Sequence, residues 1–512
     1  MSRRGWIAAV PMLLAAAEAR GVEPGATALR FEVTAAPGLL SAPEDGRLFV
    51  MLDPKGRREP RLRVGQPGLG MPPVLGRDVA GFGPGAAGVV DGSAAAFPIA
   101  GLDRLPPGDY AVQAVFDRSR DIRSPNAPGN LVSPTRRVHL DPARGGAVAL
   151  ELTGAIPPES PPGETESVRF VTIRSERLSA FHGRPIPLRA GVILPRDFDR
   201  EPGRRYPLRV HIGGFASRYT EVRGMMAPGS EFRRAWLADD APRMILLHLD
   251  GAGPLGDPYQ VDSANHGPYG AAVTEELIPA VERQFRGLGD GRSRVLDGGS
   301  TGGWVALALQ VFYPDFFNGA WSSYPDPVDF RAFELIDIYA DKDAYLNAQG
   351  FERPAAREPD GDVRYTMRHE CRMENVLGRG DSWTRSGGQW GSWNAAYSPR
   401  GPDGLPVPLW DPQSGRIDRA VAEHWKRYDL RLVLQANWPT LGPKLRGKLR
   451  IGVGEADDYF LNNAVHRLDA FLARADPPAD ATIVYGPGKG HGWERLSERE
   501  LLREMAGAVG GK

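Results

Sequence analysis

The chain is almost without cysteine: Cys371 stands alone among 512 residues, which excludes an intrachain disulfide and leaves the fold to rest on its hydrophobic core. It is also without net charge, because 63 Lys and Arg balance 63 Asp and Glu. A balanced chain sets up no field that would draw it to nucleic acid or anionic lipid, so neither is expected as a partner and a small neutral or mixed substrate fits better. No apolar run reaches the length needed to span a bilayer. The N-terminus carries Arg3 and Arg4, an apolar stretch from Trp6 to Ala17, and Ala17-Glu18-Ala19. That is the pattern of a secretory signal over residues 1–19, cleaved after Ala19, with a buried N-terminal helix as the alternative. No cysteine follows the stretch, so a lipoprotein anchor is excluded, and an exported protein, periplasmic or secreted, is expected.

What the chain has in abundance is glycine and proline, 63 and 47 residues, and their placement divides it. Residues 27–154 give short β-type runs between Pro and Gly, among them Arg47 to Asp53 and Asp109 to Asp117. In the second, Tyr110, Val112, Ala114 and Phe116 fall on one face at period two. This predicts an N-terminal all-β sandwich of immunoglobulin style. Residues 155–167 are a Pro-rich, extended linker. From 168 to 512 strands and helices alternate, which predicts an α/β domain with a mostly parallel sheet. Arg209 to Ile212 and Met244 to Leu249 read as inner strands, which would make His211 and His248 packed core. Ala271 to Phe285 reads as a helix that Pro279 kinks or starts. Between about 324 and 447 periodicity fades, and six of the eleven tryptophans gather there. The segment reads as a cap insertion, its tryptophans either facing a site or giving the insertion a core of its own.

The chemistry centres on Asp297-Gly298-Gly299-Ser300-Thr301-Gly302-Gly303. A β-type run, Arg294-Val295-Leu296, enters it and a helical apolar pattern, Val305 to Leu309, leaves it. A strand-to-helix turn tight enough to present a serine oxygen admits only small neighbours, so this is the layout of a nucleophile elbow, a plain Gly-rich turn being the alternative. Such a serine needs a base to take its proton and an acid to orient that base. Of nine histidines, His491 alone lies in a glycine-flanked loop beyond the last predicted strand, Ala481 to Tyr485. The loop after the preceding strand, Lys448 to Val453, offers Asp457, with Asp458 as the alternative acid. A metal site at Glu455, Asp457 and Asp458 is a poor reading, for the spacing is irregular and no histidine pair accompanies it. Neither metal nor cofactor is expected. Oxyanion donors are expected from the Thr301 amide and from Gly214 or Phe215 in Ile212-Gly213-Gly214-Phe215. His266, Tyr269, Trp390 and Trp393 are candidate substrate contacts.

These residues together resemble the esterase branch of the α/β-hydrolases, the group that includes esterase D and the siderophore esterases. The resemblance rests on Gly298 to Gly303, Ile212 to Phe215, Gly454 to Asp457 and the loop ending in His491, and covers about 168–323 and 448–510. Siderophore esterases are similar also in carrying a β-rich domain ahead of the hydrolase domain. The chain departs in having Gly299 and Thr301 beside the serine and in its long insertion. The resemblance implies an α/β-hydrolase fold and an exported serine esterase that cleaves a small-molecule carboxylic ester through an acyl-enzyme. A prolyl-oligopeptidase-like peptidase uses the same order of residues, but about 130 residues ahead of the linker cannot build its propeller. An acyltransferase differs only in the acceptor of the second step. From another class, a carbohydrate-binding protein with an inert elbow would stack sugars on exposed tryptophans. Oligomeric state is not legible.

Overall fold

The computed structural model describes residues 27–510 apart from 57, 66 and 67, so the expected signal segment 1–19 lies outside the described residues. Eight strands form the central sheet: β1 (Val168–Ser175), β2 (Ile186–Ile193), β3 (Leu208–Ile212), β4 (Ile245–Leu249), β5 (Arg294–Gly299), β6 (Ala320–Ser323), β7 (Leu449–Gly454) and β8 (Thr482–Gly486). Their spatial order is β1-β2-β4-β3-β5-β6-β7-β8. β2 runs antiparallel to β1 and β4, and every later pairing is parallel. That order is the α/β-hydrolase fold. The inner strands are mostly apolar because both faces are covered, with Arg209, His248, Arg294 and Asp297 as buried exceptions. In β4, Ile245, Leu247 and Leu249 enter one core layer while Leu246 enters the other, as period-two alternation requires.

The helix expected over 271–285 forms in two pieces. A wide turn over Val273–Leu277 separates Tyr269–Ala272 from α1 (Ile278–Phe285), and Pro279 falls in the first turn of α1. Proline has no N–H to return to the preceding turn, and the wide turn absorbs that missing bond. Beyond β5 lies α2 (Thr301–Phe312), nearly all of it buried.

Between residues 29 and 155 the described residues hold ten strands and two short 3-10 turns. They form a three-stranded and a seven-stranded sheet. Phe31, Val33 and Leu150 of the first share one core with Leu48, Val50, Val112 and Phe116 of the second. The other face of the larger sheet is buried too. Phe49, Met51 and Val115 pack on Met373, Val376 and Leu377 of α3 (Met367–Leu377). Arg47, fully buried, donates from Nε to the Val376 carbonyl at 2.9 Å and pairs with Asp78 at 2.7 Å and Asp381 at 2.6 Å. Arg123, half-buried, pairs with Asp117 at 2.8 Å and donates to the Arg385 carbonyl at 2.9 Å.

Residues 324–447 hold more regular structure than their faded periodicity implies: a small hairpin, Pro354–Arg357 with Val363–Thr366, then α3, α4 (Gln389–Tyr397) and helices Arg419–Trp425 and Leu430–Leu445. α4 shows no polar face because Trp390 to Tyr397 are all buried, and a helix buried all round carries no amphipathic signal. Leu430–Leu445 contains Pro439 and Pro443. The reading that required exposed tryptophans is overturned, since Trp383, Trp390, Trp393, Trp410, Trp425 and Trp438 are all buried. Ring pairs such as Trp390–Trp393 at 4.6 Å and Trp383–Trp410 at 4.7 Å bind the insertion together.

Because the N-terminal sheets and the insertion share the Phe49–Val376 core and the buried Arg47, heating is expected to unfold the chain in one calorimetric transition. Phe49→Ala should lower its stability by about 3–5 kcal/mol. Two separated transitions, with Phe49→Ala moving only one, would show the parts to be independent.

Candidate active site

β5 ends at Gly299 and α2 begins at Thr301, so one residue, Ser300, makes the whole turn. It does so at φ 58°, ψ −126°, a conformation that side chains bearing a Cβ avoid. The turn is feasible because its neighbours lack side chains. A Cβ on Gly298 would lie 2.5 Å from the Ile212 carbonyl oxygen, and one on Gly302 2.0 Å from the same atom. Three backbone bonds hold the serine: its N–H donates to Ser323 at 3.0 Å, and its carbonyl accepts from Trp304 at 3.1 Å and Asp326 at 3.1 Å.

His491 comes from the loop after β8 and Asp457 from the loop after β7. His491 Nε2 lies 3.2 Å from Ser300 Oγ, and Nδ1 lies 2.9 Å from Asp457 Oδ2. A carboxylate only accepts, so the ring proton sits on Nδ1 and Nε2 is left to accept the serine hydroxyl. Asp457 is fully buried, and its Oδ1 accepts from the amides of Tyr459 at 2.9 Å and Leu461 at 3.2 Å. Asp458 is turned elsewhere, taking the His491 backbone N–H at 2.9 Å and facing Arg364 at 3.5 Å. Burial disfavours a charged His491 ring, but the Asp457 carboxylate outweighs it and the pKa lies above the ordinary value. The edges of Tyr324 and Tyr459 flank the ring, with centroids at 4.7 and 4.9 Å.

The turn after β3 passes close to the serine, where a Cβ on Gly214 would stand 3.9 Å from Ser300 Cβ. Ala216, at φ 57°, donates its N–H to Asp257 Oδ2 at 3.1 Å, and Ser217 N–H donates to the Gly214 carbonyl at 3.0 Å. The amides of Gly214, Phe215 and Thr301 donate to no acceptor among the described residues. Thr301 also opens the twelve-residue helix α2, whose positive end faces the serine.

The other candidate contacts separate. Trp393 faces the cleft, its Nε1 donating to Asp326 Oδ2 at 3.1 Å. Trp390 lies behind it, fully buried, with Nε1 on Glu370 Oε2 at 3.2 Å. His266 and Tyr269 do not reach the serine. His266 is sealed beside His182, whose Nε2 contacts its carbonyl at 3.1 Å, and burial pushes its pKa down to about 3. Tyr269 borders a small void with Arg189 and Asp250. A short polar turn in sequence thus carries no sign that its side chains point away from the sheet's carboxyl edge. His211, expected in the core, is only half-buried; its Nδ1 meets Asp297 Oδ2 at 2.8 Å at the wall of a cavity of about 910 Å³ that also reaches Ser300. His248 is buried as expected.

Asp326, which the sequence reading passed over, sits directly behind Ser300. Its Oδ1 is 3.5 Å from Ser300 Oγ, and Oδ2 accepts from Tyr259 at 2.6 Å, Thr301 at 2.9 Å and Trp393 at 3.1 Å. The one signal for it was an acid three residues past β6, the strand beside the elbow. A second cavity, of about 540 Å³, opens between α3, α4 and the N-terminal residues 123–125 and ends on Ser300, His491 and Asp326.

Among solved structures the chain is similar to a ferulic acid esterase (15% identity over 67% of this chain and 98% of that one, TM-score 0.41). It is also similar to an S-formylglutathione hydrolase from Agrobacterium tumefaciens (12%, 67% and 95%, TM-score 0.37), and to FphF, a fluorophosphonate-binding serine hydrolase of Staphylococcus aureus (13%, 67% and 98%, TM-score 0.37). A search of curated proteins found no match. Residues 185–479, more than half of the chain, match the family described as "Esterase: Putative esterase". The chain therefore belongs to that esterase family, on the α/β-hydrolase strand order described above.

Proposed function

We propose that Ser300, His491 and Asp457 are the catalytic triad of this esterase and that the reaction passes through an acyl-enzyme. The observation that carries the reading is the hydrogen-bonded line from Ser300 Oγ through both ring nitrogens of His491 to Asp457, at 3.2 and 2.9 Å. Ser300 Oγ attacks the ester carbonyl carbon while its proton passes to His491 Nε2. The carbonyl oxygen becomes an oxyanion that accepts from the Thr301 amide and from Gly214 or Phe215. The tetrahedral intermediate collapses, the bond to the alcohol oxygen breaks, and His491 returns the proton to that oxygen. Water then repeats the sequence on the acyl-enzyme and releases the acid. Asp457 keeps the imidazole in the productive tautomer and balances its charge.

The N-terminal sheets read as a β-sandwich domain over 27–154, joined by the 155–167 linker to the catalytic domain 168–512. Residues 324–447 are a cap over the cleft. The sandwich walls the cleft through Arg123 to Pro125. Residues 1–19 are read as an export signal, giving a periplasmic or secreted enzyme that acts on a small-molecule ester.

A fluorophosphonate probe is expected to label the wild type and not Ser300→Ala, and Ser300→Ala and His491→Ala should each lose roughly 1,000-fold or more in kcat with folding retained. Asp457→Asn should cost roughly 10,000-fold and Asp458→Asn less than about tenfold; the reverse ranking would move the acid to Asp458. His491 accepts a proton only when neutral, so kcat/KM should fall as pH drops through its raised pKa, with the acid limb above the ordinary 6.5. In Asp457→Asn the limb should move to lower pH, and an unmoved limb in a pH–rate series would remove Asp457 from that role.

A further inference from the structure

The cavity of about 540 Å³ beside Ser300 is lined by four carboxylates: Asp326, Glu334, Glu370 and Glu374. Two are accounted for by the fold. Asp326 holds the elbow, as described above. Glu374 accepts from Ser386 Oγ at 2.7 Å and from the amides of Trp390 and Gly391 at 2.9 Å each, which caps the start of α4. Glu370 has a single donor among the described residues, Trp390 Nε1. Glu334 has none: it is 4% exposed, no described residue donates to its carboxylate, and its Oε2 is buried without a partner. Its backbone stands at φ 54°, so the turn that presents it is not a relaxed one.

A buried carboxylate without donors is costly, and like charges nearby raise the cost. Burial, and then Glu370 and Asp326, push the Glu334 pKa well above the ordinary range. Burial, and then Glu374, push Glu370 up to about 8. Apart from His491, Arg123 is the one basic residue among the described residues of the wall, and it is already paired with Asp117 at 2.8 Å. No cluster among the described residues has the makings of a metal site. Trp393 and Tyr459 add aromatic rings to the same wall, and such rings attract organic cations.

We propose that this cavity recognises a positively charged nitrogen, an ammonium group, on the ester substrate, with Glu334 as its anchor and Glu370 beside it. The proposal rests on the reading of Ser300 as the nucleophile, which the cavity reaches directly. It makes the enzyme one for esters of amino-acids or amino-alcohols rather than for neutral esters.

The test uses the full chain and two pairs of esters that differ only in charge. The first pair is p-nitrophenyl 4-(trimethylammonio)butanoate and p-nitrophenyl 5,5-dimethylhexanoate. The second is butyrylcholine and 3,3-dimethylbutyl butyrate. In one pair or the other the cationic ester should have at least about tenfold higher kcat/KM. That ratio should fall to about one in Glu334→Gln and partway in Glu370→Gln. Choline should also inhibit the wild type competitively where 3,3-dimethyl-1-butanol does not, a measurement that needs no variant. Ratios near one in both wild-type pairs, or a preference that survives in Glu334→Gln, overturn the proposal. Fluorophosphonate labelling of the same samples separates the two readings: labelled protein without charge preference sinks only this inference, and unlabelled wild type sinks the nucleophile assignment beneath it.

Discussion

The site depends on one strained residue. Ser300 at φ 58°, ψ −126° sits where a non-glycine residue costs about 1–3 kcal/mol, and the surroundings must hold it there. They do so with backbone alone: Ser323, Trp304 and Asp326 supply three bonds to its amide and carbonyl. The strain has a purpose. It lifts Oγ off the sheet's edge, toward loops that the parallel strands deliver to the same end. β5 ends at Gly299 and β7 begins only at Leu449, with β8 following at Thr482, yet the three lie within four consecutive strands of the sheet. Neighbouring strands stand about 5 Å apart, which is why loops so distant in sequence can share a hydrogen-bonded line.

Asp326 ties that turn to everything built above it. Its amide holds Ser300 and its Oδ2 gathers Tyr259, Thr301 and Trp393, so one carboxylate joins β6, α2 and the insertion. Removing it would leave several buried donors unpaired at once. The insertion is pinned again on its far side, where Phe49 and Val115 meet Val376 and Leu377. The cleft thus has a rigid floor in the elbow and a wall locked between two cores, which is the condition for holding a reacting group in place.

Much of this was legible in residues, and the rest was hidden for identifiable reasons. The turn at Ser300 and the loops that bear His491 and Asp457 were legible because tight turns demand glycine and because the strands before them are largely apolar. The inner strands were read to within a residue or two of Leu208–Ile212 and Ile245–Leu249. α4 was missed because it is buried on nearly every side, so period 3.6 has no polar phase to stand against, and α3 because buried Glu370 and Glu374 break the apolar pattern of its inner face. The second buried face of Gly108–Asp117 was missed likewise, since the alternation of Tyr110 and Val112 takes no account of what covers Val115. His266 and Tyr269 were placed by proximity in sequence to a polar turn, and direction is the property that a turn does not write into its letters.

The same limit applies to charge. A chain with 63 acidic and 63 basic residues looks electrostatically featureless, and for long-range attraction it is. Net charge says nothing about how the balance is struck locally. Here arginines are spent in pairs on the frame: Arg47 with Asp78 and Asp381, Arg123 with Asp117, Arg209 with Asp297, Arg294 with Glu282. Each such pair neutralises itself within hydrogen-bond distance and leaves no field in the cleft. Glu334 and Glu370 have no such partner, and burial against Ser300 raises their pKa values, so a cation bound beside them is what draws out their negative charge. An enclosed charge is screened far less than an exposed one, so a carboxylate there can govern which ester binds even in a protein that is neutral as a whole.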